Sequence, residues 1–287
     1  LVWTTTPWTL TSNVAAAVGP ELTYVKIKAN DGWTYYLAEG TLGQVIKGKH
    51  EVVDRLKGEE MVGWTYEGPF DDLPVIQERD VPGYHRIIPW DEVGEEEGTG
   101  IVHIAPGCGA EDFELGEIHD LPAVAPLYED GSFKEGFGWL SGRDVHEVAH
   151  DIFHNLEDKR RLYRVDEYTH RYPVCWRCDT PLVFRLVDEW FISMGELYDK
   201  PREEVTEEEW AASLRYQIMD VVDEIKWIPD FGYAREMDWL RNMQDWMISK
   251  KRYWGLALPI WVCESDDCDH YEVIGGEEEL RERAVEG

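Results

Sequence analysis

The chain has 287 residues, 43% of them hydrophobic and 13% aromatic, with 14 tryptophans. That is enough apolar mass for one large or two ordinary domains, and it excludes general disorder. Acidic residues outnumber basic ones 59 to 28, giving a net charge of −31. A surface this anionic repels itself at low salt and opposes contact with phosphates. Two readings fit: the partner is not a nucleic acid, or the protein works in concentrated salt, where exposed charges are screened over about 3 Å at 1 M. No apolar run approaches the ~20 residues a membrane helix needs, and no signal peptide opens the chain. The apolar, Thr-rich start at Leu1 and the unfinished helical pattern before Gly287 read as an internal piece of a longer protein.

Residues 1 to about 140 predict short strands punctuated by Gly and Pro, as a barrel-like domain requires. Leu1 to Thr6 reads as a strand ended by Pro7, and Thr23 to Ala29 alternates. Asp31-Gly32 before Trp33 to Leu37 is a hairpin signal, and Ile101 to Ala105 is a compact apolar strand. From about Asp144 the period becomes helical, with Val145, Val148, Ala149, Ile152, Phe153 and Leu156 on one face. Residues 203 to 225 and Met237 to Met247 predict further helices, and the domain boundary falls near residues 184 to 188. The expected fold class is α/β: a β-rich first part, then a helical one.

Five tracts carry candidate chemistry. Trp3 to Asn13 (WTTTPWTLTSN) gathers hydroxyls and a carboxamide behind a proline turn, where a strand end can grip a polar ligand; its plain alternative is a β-edge. Gly98 to Phe113 places His103 near a strand end and Glu111-Asp112 at a helix start, across a Gly-rich loop that matches neither the dinucleotide nor the P-loop pattern. A pocket with one imidazole and one carboxylate is the functional reading; a structural histidine and a capping acid are the plain one. His146-Glu147-Val148-Ala149-His150 fits the H-E-x-x-H zinc-protease pattern on a predicted helix, with no clear third ligand beyond His154 or Glu167.

The cysteines form the fourth tract. Cys175 and Cys178 make half of a tetrahedral zinc site, and Cys263 and Cys268 make a looser second pair. The two pairs can close one site, or each can close with cysteines outside the chain; structural zinc is preferred to redox use. Lastly, Lys250, Lys251 and Arg252 form the densest basic cluster, interleaved with aromatics as a tRNA or other phosphate contact would be; the alternative is a helix end whose cations suit the dipole.

Trp3 to Asn13, Gly98 to Asp112, Tyr168 to Pro181 (YTHRYPVCWRCDTP) and Trp239 to Ile260 (WLRNMQDWMISKKRYWGLALPI) together resemble the isoleucyl-tRNA synthetases of class I, in the family's order. The related valyl and leucyl enzymes carry Thr-Thr-Arg-Pro in the first tract. The resemblance implies that residues 1–185 are a β-barrel-like editing domain, and that 186–287 return towards the second half of a Rossmann-type catalytic domain. It implies that Thr4, Thr5, Thr6 and Thr9 line the site for the terminal adenosine and leaving ester. His103 would shape the side-chain pocket, and Asp112 would hold the substrate α-ammonium. The implied partners are isoleucine-specific tRNA, isoleucine and valine, in a monomeric, cytoplasmic parent enzyme. The parent would use ATP and Mg2+, although neither a His-Ile-Gly-His nor a Lys-Met-Ser-Lys-Ser tract occurs in this chain. It would pair Cys175 and Cys178 with upstream cysteines around structural Zn2+. A tRNA partner resolves the charge conflict in favour of salt adaptation. The melting temperature of the chain is therefore expected to rise between ~0.1 M and ~2 M KCl; a flat or falling value in a calorimetric series removes the salt reading.

Overall fold

A computed structural model describes residues 1–198, 200–249, 257–265 and 268–285. The chain divides into two units, Leu1–Leu186 and Val187–Gly287, each with its own apolar clusters. The first unit is mixed α and β with small sheets. Strand β1 (Ala15–Val18) is buried along its whole length, which four small or β-branched side chains permit. Strand β2 (Thr23–Ala29) buries Val25 and Ile27 in one cluster and Tyr24 in another, with a register shift at Lys26/Ile27. The Asp31-Gly32 turn then returns the chain as β3 (Thr34–Ala38), antiparallel to β2, and β4 (His50–Lys57) covers the other edge of β2. Single helical turns at Gly58–Met61 and Pro74–Glu78 lead to β5 (Ile87–Pro89). That strand lies parallel to β1, whose other edge pairs antiparallel with β6 (Ile101–Ile104).

The two three-stranded sheets meet through buried polar contacts. The Tyr24 hydroxyl accepts the Gly19 N–H at 3.0 Å and donates to the Gly100 carbonyl at 2.6 Å. Ala38 N–H donates to the Thr99 carbonyl at 2.8 Å. Gly100 sits at φ 71, and a Cβ there would lie 2.3 Å from the Ala38 Cβ. Only glycine meets both conditions, so the approach of β6 to β3 depends on it.

Two predicted elements of the first unit form differently. Leu1–Thr6 joins no sheet; the chain instead turns at Pro7–Ser12 into a 3-10 helix. Pro7 suits a first helical position, and the Thr9 and Thr11 hydroxyls donate to carbonyls three residues back, a local bond that competes with a strand ladder. The helix predicted from Asp144 begins at Ala149. Asp144 accepts the His146 N–H at 2.8 Å and holds residues 144–147 in a turn. After α1 (Ala110–His119), the resulting α2 (Ala149–Asp158) buries Ile152 and Leu156 in the main cluster, with Trp8, Leu10, Val14, Ile104 and Leu115. His146 and Glu147 therefore lie outside α2 and are exposed, as is His150. The one-face arrangement that the H-E-x-x-H reading needs is not formed.

In the second unit the helix predicted over 203–225 is broken. It forms α3 (Glu207–Ala212), with a capping box between Thr206 and Glu209, and α4 (Leu214–Glu224), whose cap is buried Ser213. The helix predicted over Met237 to Met247 forms earlier, as α5 (Phe231–Asn242), and its expected end at Trp246–Met247 is a strand; with α3 and α4 it encloses Tyr216, Met219, Val222, Met237 and Leu240. Short strand pairs follow: β7 (Phe191–Ile192) with β8 (Trp246–Met247), and β9 (Ile260–Val262) with β10 (Tyr271–Val273), before α6 (Glu277–Arg283). Among the described residues no helix is long and apolar enough to cross a membrane.

Gly100→Ala is expected to destabilise the first unit by about 2 kcal/mol or more, the sum of left-handed backbone strain and overpacking against Ala38. Urea unfolding followed by tryptophan fluorescence measures it, and an unchanged midpoint contradicts the stated role of Gly100.

Candidate functional site

Antiparallel pairing of β1 with β6 sets Ala16 opposite His103 and Ala15 opposite Ile104. Alternation along β6 sends Ile104 into the core, so His103 faces the other side, where the threonine-rich turn passes. The Thr9 hydroxyl donates to the Thr6 carbonyl at 2.8 Å and lies 3.0 Å from His103 Nε2. The Thr6 N–H donates to the Thr4 hydroxyl at 3.0 Å. The Pro106–Gly109 loop follows β6, and Gly107 must be glycine because a Cβ would lie 2.0 Å from the Val124 carbonyl oxygen. That loop delivers Asp112 into the first turn of α1, where it accepts the Ala105 N–H at 2.7 Å.

Thr4, Thr5, Thr6, Thr9, His103 and Asp112 all line one cavity of about 950 Å³. Every one of the six residues singled out for catalysis is thus brought together. The cavity has walls that the sequence reading did not nominate. Trp3 and Trp90 flank it, Glu92 and Glu95–Glu97 form an acidic rim, and Tyr172 and Phe184 at the base of the cysteine hairpin close another side. Trp3 meets Tyr168 edge-on at 5.2 Å, and Tyr168 donates to Glu97 at 2.7 Å. Of these walls, Tyr172 belongs to the interleaved aromatics of Tyr168 to Pro181, which are its signal in the sequence.

Burial sets the electrostatics. Desolvation lowers His103 to about 4, so its ring is neutral at pH 7, and the buried Nδ1 has no protein partner. Desolvation raises Asp112, against the opposing bond from Ala105 N–H, so its carboxylate gains from a cationic ligand. Cys108 also lines the cavity, but burial pushes its thiol up to about 12. The cavity therefore holds no thiolate nucleophile.

The cysteine pairs lie elsewhere. Cys175 and Cys178 sit on a hairpin closed by the Val174–Pro181 bridge and by the Cys175 N–H bond to Thr180 at 2.8 Å. The Cys178 thiol is lowered, first by the Thr180 hydroxyl and also by Cys175. Cys263 follows β9 and donates its N–H to the His270 carbonyl at 2.9 Å; its thiol is lowered by a backbone bond from Ser265 and by Cys268. Each pair presents two adjacent soft donors, which fits half of a tetrahedral zinc set. Among the described residues no three His, Cys, Asp or Glu side chains converge on a metal-sized site. Lys250, Lys251 and Arg252 lie outside the described residues.

The family described as tRNA synthetases class I (I, L, M and V) matches residues 56–286. The chain belongs to that family. Isoleucine–tRNA ligases match over essentially its whole length. That of Methanothermobacter thermautotrophicus is 41% identical over 289 residues, covering 100% of this chain and 25% of the relative. That of Sulfolobus acidocaldarius is 33% identical over 290 residues, covering 99% and 26%. The chain thus spans about a quarter of the length of these curated relatives. Among solved structures, GlLeuRS-CP1 is similar at 14% identity and TM-score 0.43, covering 57% of this chain and 83% of that one. The Plasmodium knowlesi cytosolic leucyl-tRNA synthetase editing domain aligns at 12% identity and TM-score 0.37, covering 55% and 81%.

The low value of His103 makes stability pH-dependent. The unfolded ring protonates near 6.5 and the folded ring only near 4, so the folded state is favoured fully above 6.5 and loses this contribution as pH falls from 6.5 to 4. The full difference is about 3 kcal/mol. Chemical unfolding of the native chain and of His103→Asn at pH 7 and pH 4 is expected to show the larger acid loss in the native chain; equal losses contradict a neutral buried ring.

Proposed function

We propose that the chain is an internal segment of an isoleucine–tRNA ligase and that its first unit is the editing module, a β-barrel-like insertion in a Rossmann-type catalytic domain. The observation that carries this reading is the convergence of Thr4, Thr5, Thr6, Thr9, His103 and Asp112 around one solvent-reachable cavity. The reaction is hydrolysis of a mischarged aminoacyl-tRNA ester. A water oxygen bonds to the ester carbonyl carbon, the carbon–oxygen bond to the ribose breaks, and a water proton ends on the released ribose hydroxyl. The protein supplies position and electrostatics, because the only thiol in the cavity stays protonated. The threonine hydroxyls take the terminal ribose and ester, and Asp112 pairs with the α-ammonium.

Size explains why such a site is needed. A synthetic site rejects valine against isoleucine by one methylene, about 1–3 kcal/mol, which is too little for accurate translation. A second pocket that admits valine and excludes isoleucine supplies the remainder. In this reading the partner is isoleucine tRNA, and the parent enzyme is a cytoplasmic monomer that uses ATP and Mg2+ at a site outside this chain. Cys175 with Cys178, and Cys263 with Cys268, would hold structural zinc together with further donors. Lys250, Lys251 and Arg252 would contact tRNA phosphates, and high salt would reconcile the −31 charge with that partner.

In the full-length enzyme, Asp112→Ala is expected to slow deacylation of valyl-tRNA for isoleucine by roughly 10- to 100-fold, because the ammonium loses its charged partner. Isoleucine-dependent ATP–pyrophosphate exchange should stay unchanged. Deacylation at the native rate overturns the assignment of this pocket.

A further inference from the structure

Tyr168, His170 and Tyr172 stand at alternate positions of the chain, and their rings form one row with Trp3. Trp3 meets Tyr168 edge-on at 5.2 Å, Tyr168 stacks on His170 at 5.7 Å, and His170 meets Tyr172 edge-on at 5.9 Å. The two end rings, Trp3 and Tyr172, line the cavity, while Tyr168 and His170 lie outside its lining and are exposed. The row therefore runs along the cavity's edge. Among the described residues, none of the four rings joins an apolar cluster of the first unit. Three of them are nevertheless tied in place. Tyr168 donates to Glu97 at 2.7 Å, His170 Nδ1 to the Arg171 carbonyl at 3.0 Å, and the Tyr172 hydroxyl to the Leu182 carbonyl at 2.9 Å. Exposed aromatic surface is thus ordered before a ligand arrives, which removes part of the entropy cost of binding.

We propose that this row is a stacking platform for the unpaired nucleotides that precede the terminal adenosine, held by their base faces and not by their phosphates. This rests on the editing reading above and extends it from the ester to the strand that carries it. A terminal ribose in the pocket is covalently joined to the nucleotide before it, and that nucleotide must leave past the cavity's edge. Every base has a π-face, and stacking one on an aromatic side chain changes affinity by roughly 5- to 150-fold. Charge disfavours the other grip. Glu92 and Glu95–Glu97 line the same cavity and repel a phosphodiester, so the phosphates of a bound strand face solvent. Arg171, next to His170 in the chain, allows one phosphate contact at most. Phosphate contacts also weaken steeply as salt rises, because they depend on counterion release, whereas stacking of uncharged faces does not. A grip through rings is the one that suits a chain of net charge −31.

Fluorescence anisotropy of a 5′-labelled single-stranded RNA heptamer ending in CCA, titrated with the 287-residue chain, tests the platform without reference to catalysis. Tyr168→Ala and His170→Ala are each expected to weaken binding by about tenfold, and Tyr168→Phe and His170→Tyr, which keep a ring, to bind within about twofold of the native chain. The ratio of variant to native Kd should be the same at ~0.5 M and ~2 M KCl. Native affinity in the alanine variants, or no binding by the native chain, overturns the platform. A ratio that shrinks towards one at the higher salt assigns the row to phosphate contact and overturns the stacking role. In the full-length enzyme, the alanine variants should raise KM for deacylation of valyl-tRNA about tenfold with kcat within twofold, the signature of lost uniform binding. Unchanged KM overturns the role in presenting the substrate. If the rings bind RNA as expected while Asp112→Ala deacylates normally, the editing reading fails and the platform stands. If Asp112→Ala is slow and the ring variants match the native protein in both assays, the platform fails and the editing reading stands.

Discussion

The register of β6 against β1 is the constraint from which the site follows. With Ala16 opposite His103, the imidazole faces the threonine-rich turn and Ile104 enters the core. A slip of one residue would exchange the two, burying a polar ring among apolar side chains and exposing an isoleucine. The register is held at both ends of β6. Gly100 allows the close approach to Ala38 at one end, and at the other the Ala105 N–H is taken by Asp112. One of the proposed ligand-binding groups therefore also terminates the strand that presents the other.

The turn opposite β6 is held from beneath with comparable redundancy. Asn13 accepts from the Tyr66 hydroxyl at 2.8 Å and donates to the Ala15 carbonyl at 2.9 Å. Tyr66 stacks on His85 at 4.9 Å, and the two His85 ring nitrogens lie 2.8 Å from the Val14 carbonyl and 2.7 Å from Asp71. Below these, α2 buries Ile152 and Leu156 in the cluster that contains Trp8 and Leu10. The helix carrying His150 thus has a packing role that accounts for its apolar stripe, and its histidines face solvent as a consequence.

Charge is distributed so that the pocket does not rely on cations. Several basic side chains of the first unit are occupied by neighbours: Arg55 by Glu39, Arg143 by Asp151, Arg161 by Glu67 and Arg185 by Glu129. Exposed pairs of this kind contribute about 0–1 kcal/mol each and weaken with salt, so they balance local charge more than they stabilise the fold. The cavity itself is acidic at the rim and neutral at His103, which suits a ligand that carries an ammonium.

The motifs and most element types were legible in the sequence because each rests on local rules. The alternation of Thr23 to Ala29 with the Asp31-Gly32 turn specified the hairpin almost residue for residue, and the apolar run at Ile101 specified β6. Local competition was harder to read: the back-bonding hydroxyls of Thr9 and Thr11 made a turn where β-propensity suggested a strand, and Asp144 delayed a helix that periodicity started too early. What the sequence determined alone was which residues carry chemistry, since hydroxyls, an imidazole and a carboxylate are properties of single side chains. Their meeting across 94 residues from Thr9 to His103, the neutral state of the ring and the aromatic wall from Tyr172 to Phe184 were decided by tertiary structure. Register, burial and desolvation are relations between distant segments, and no single stretch of the chain encodes them.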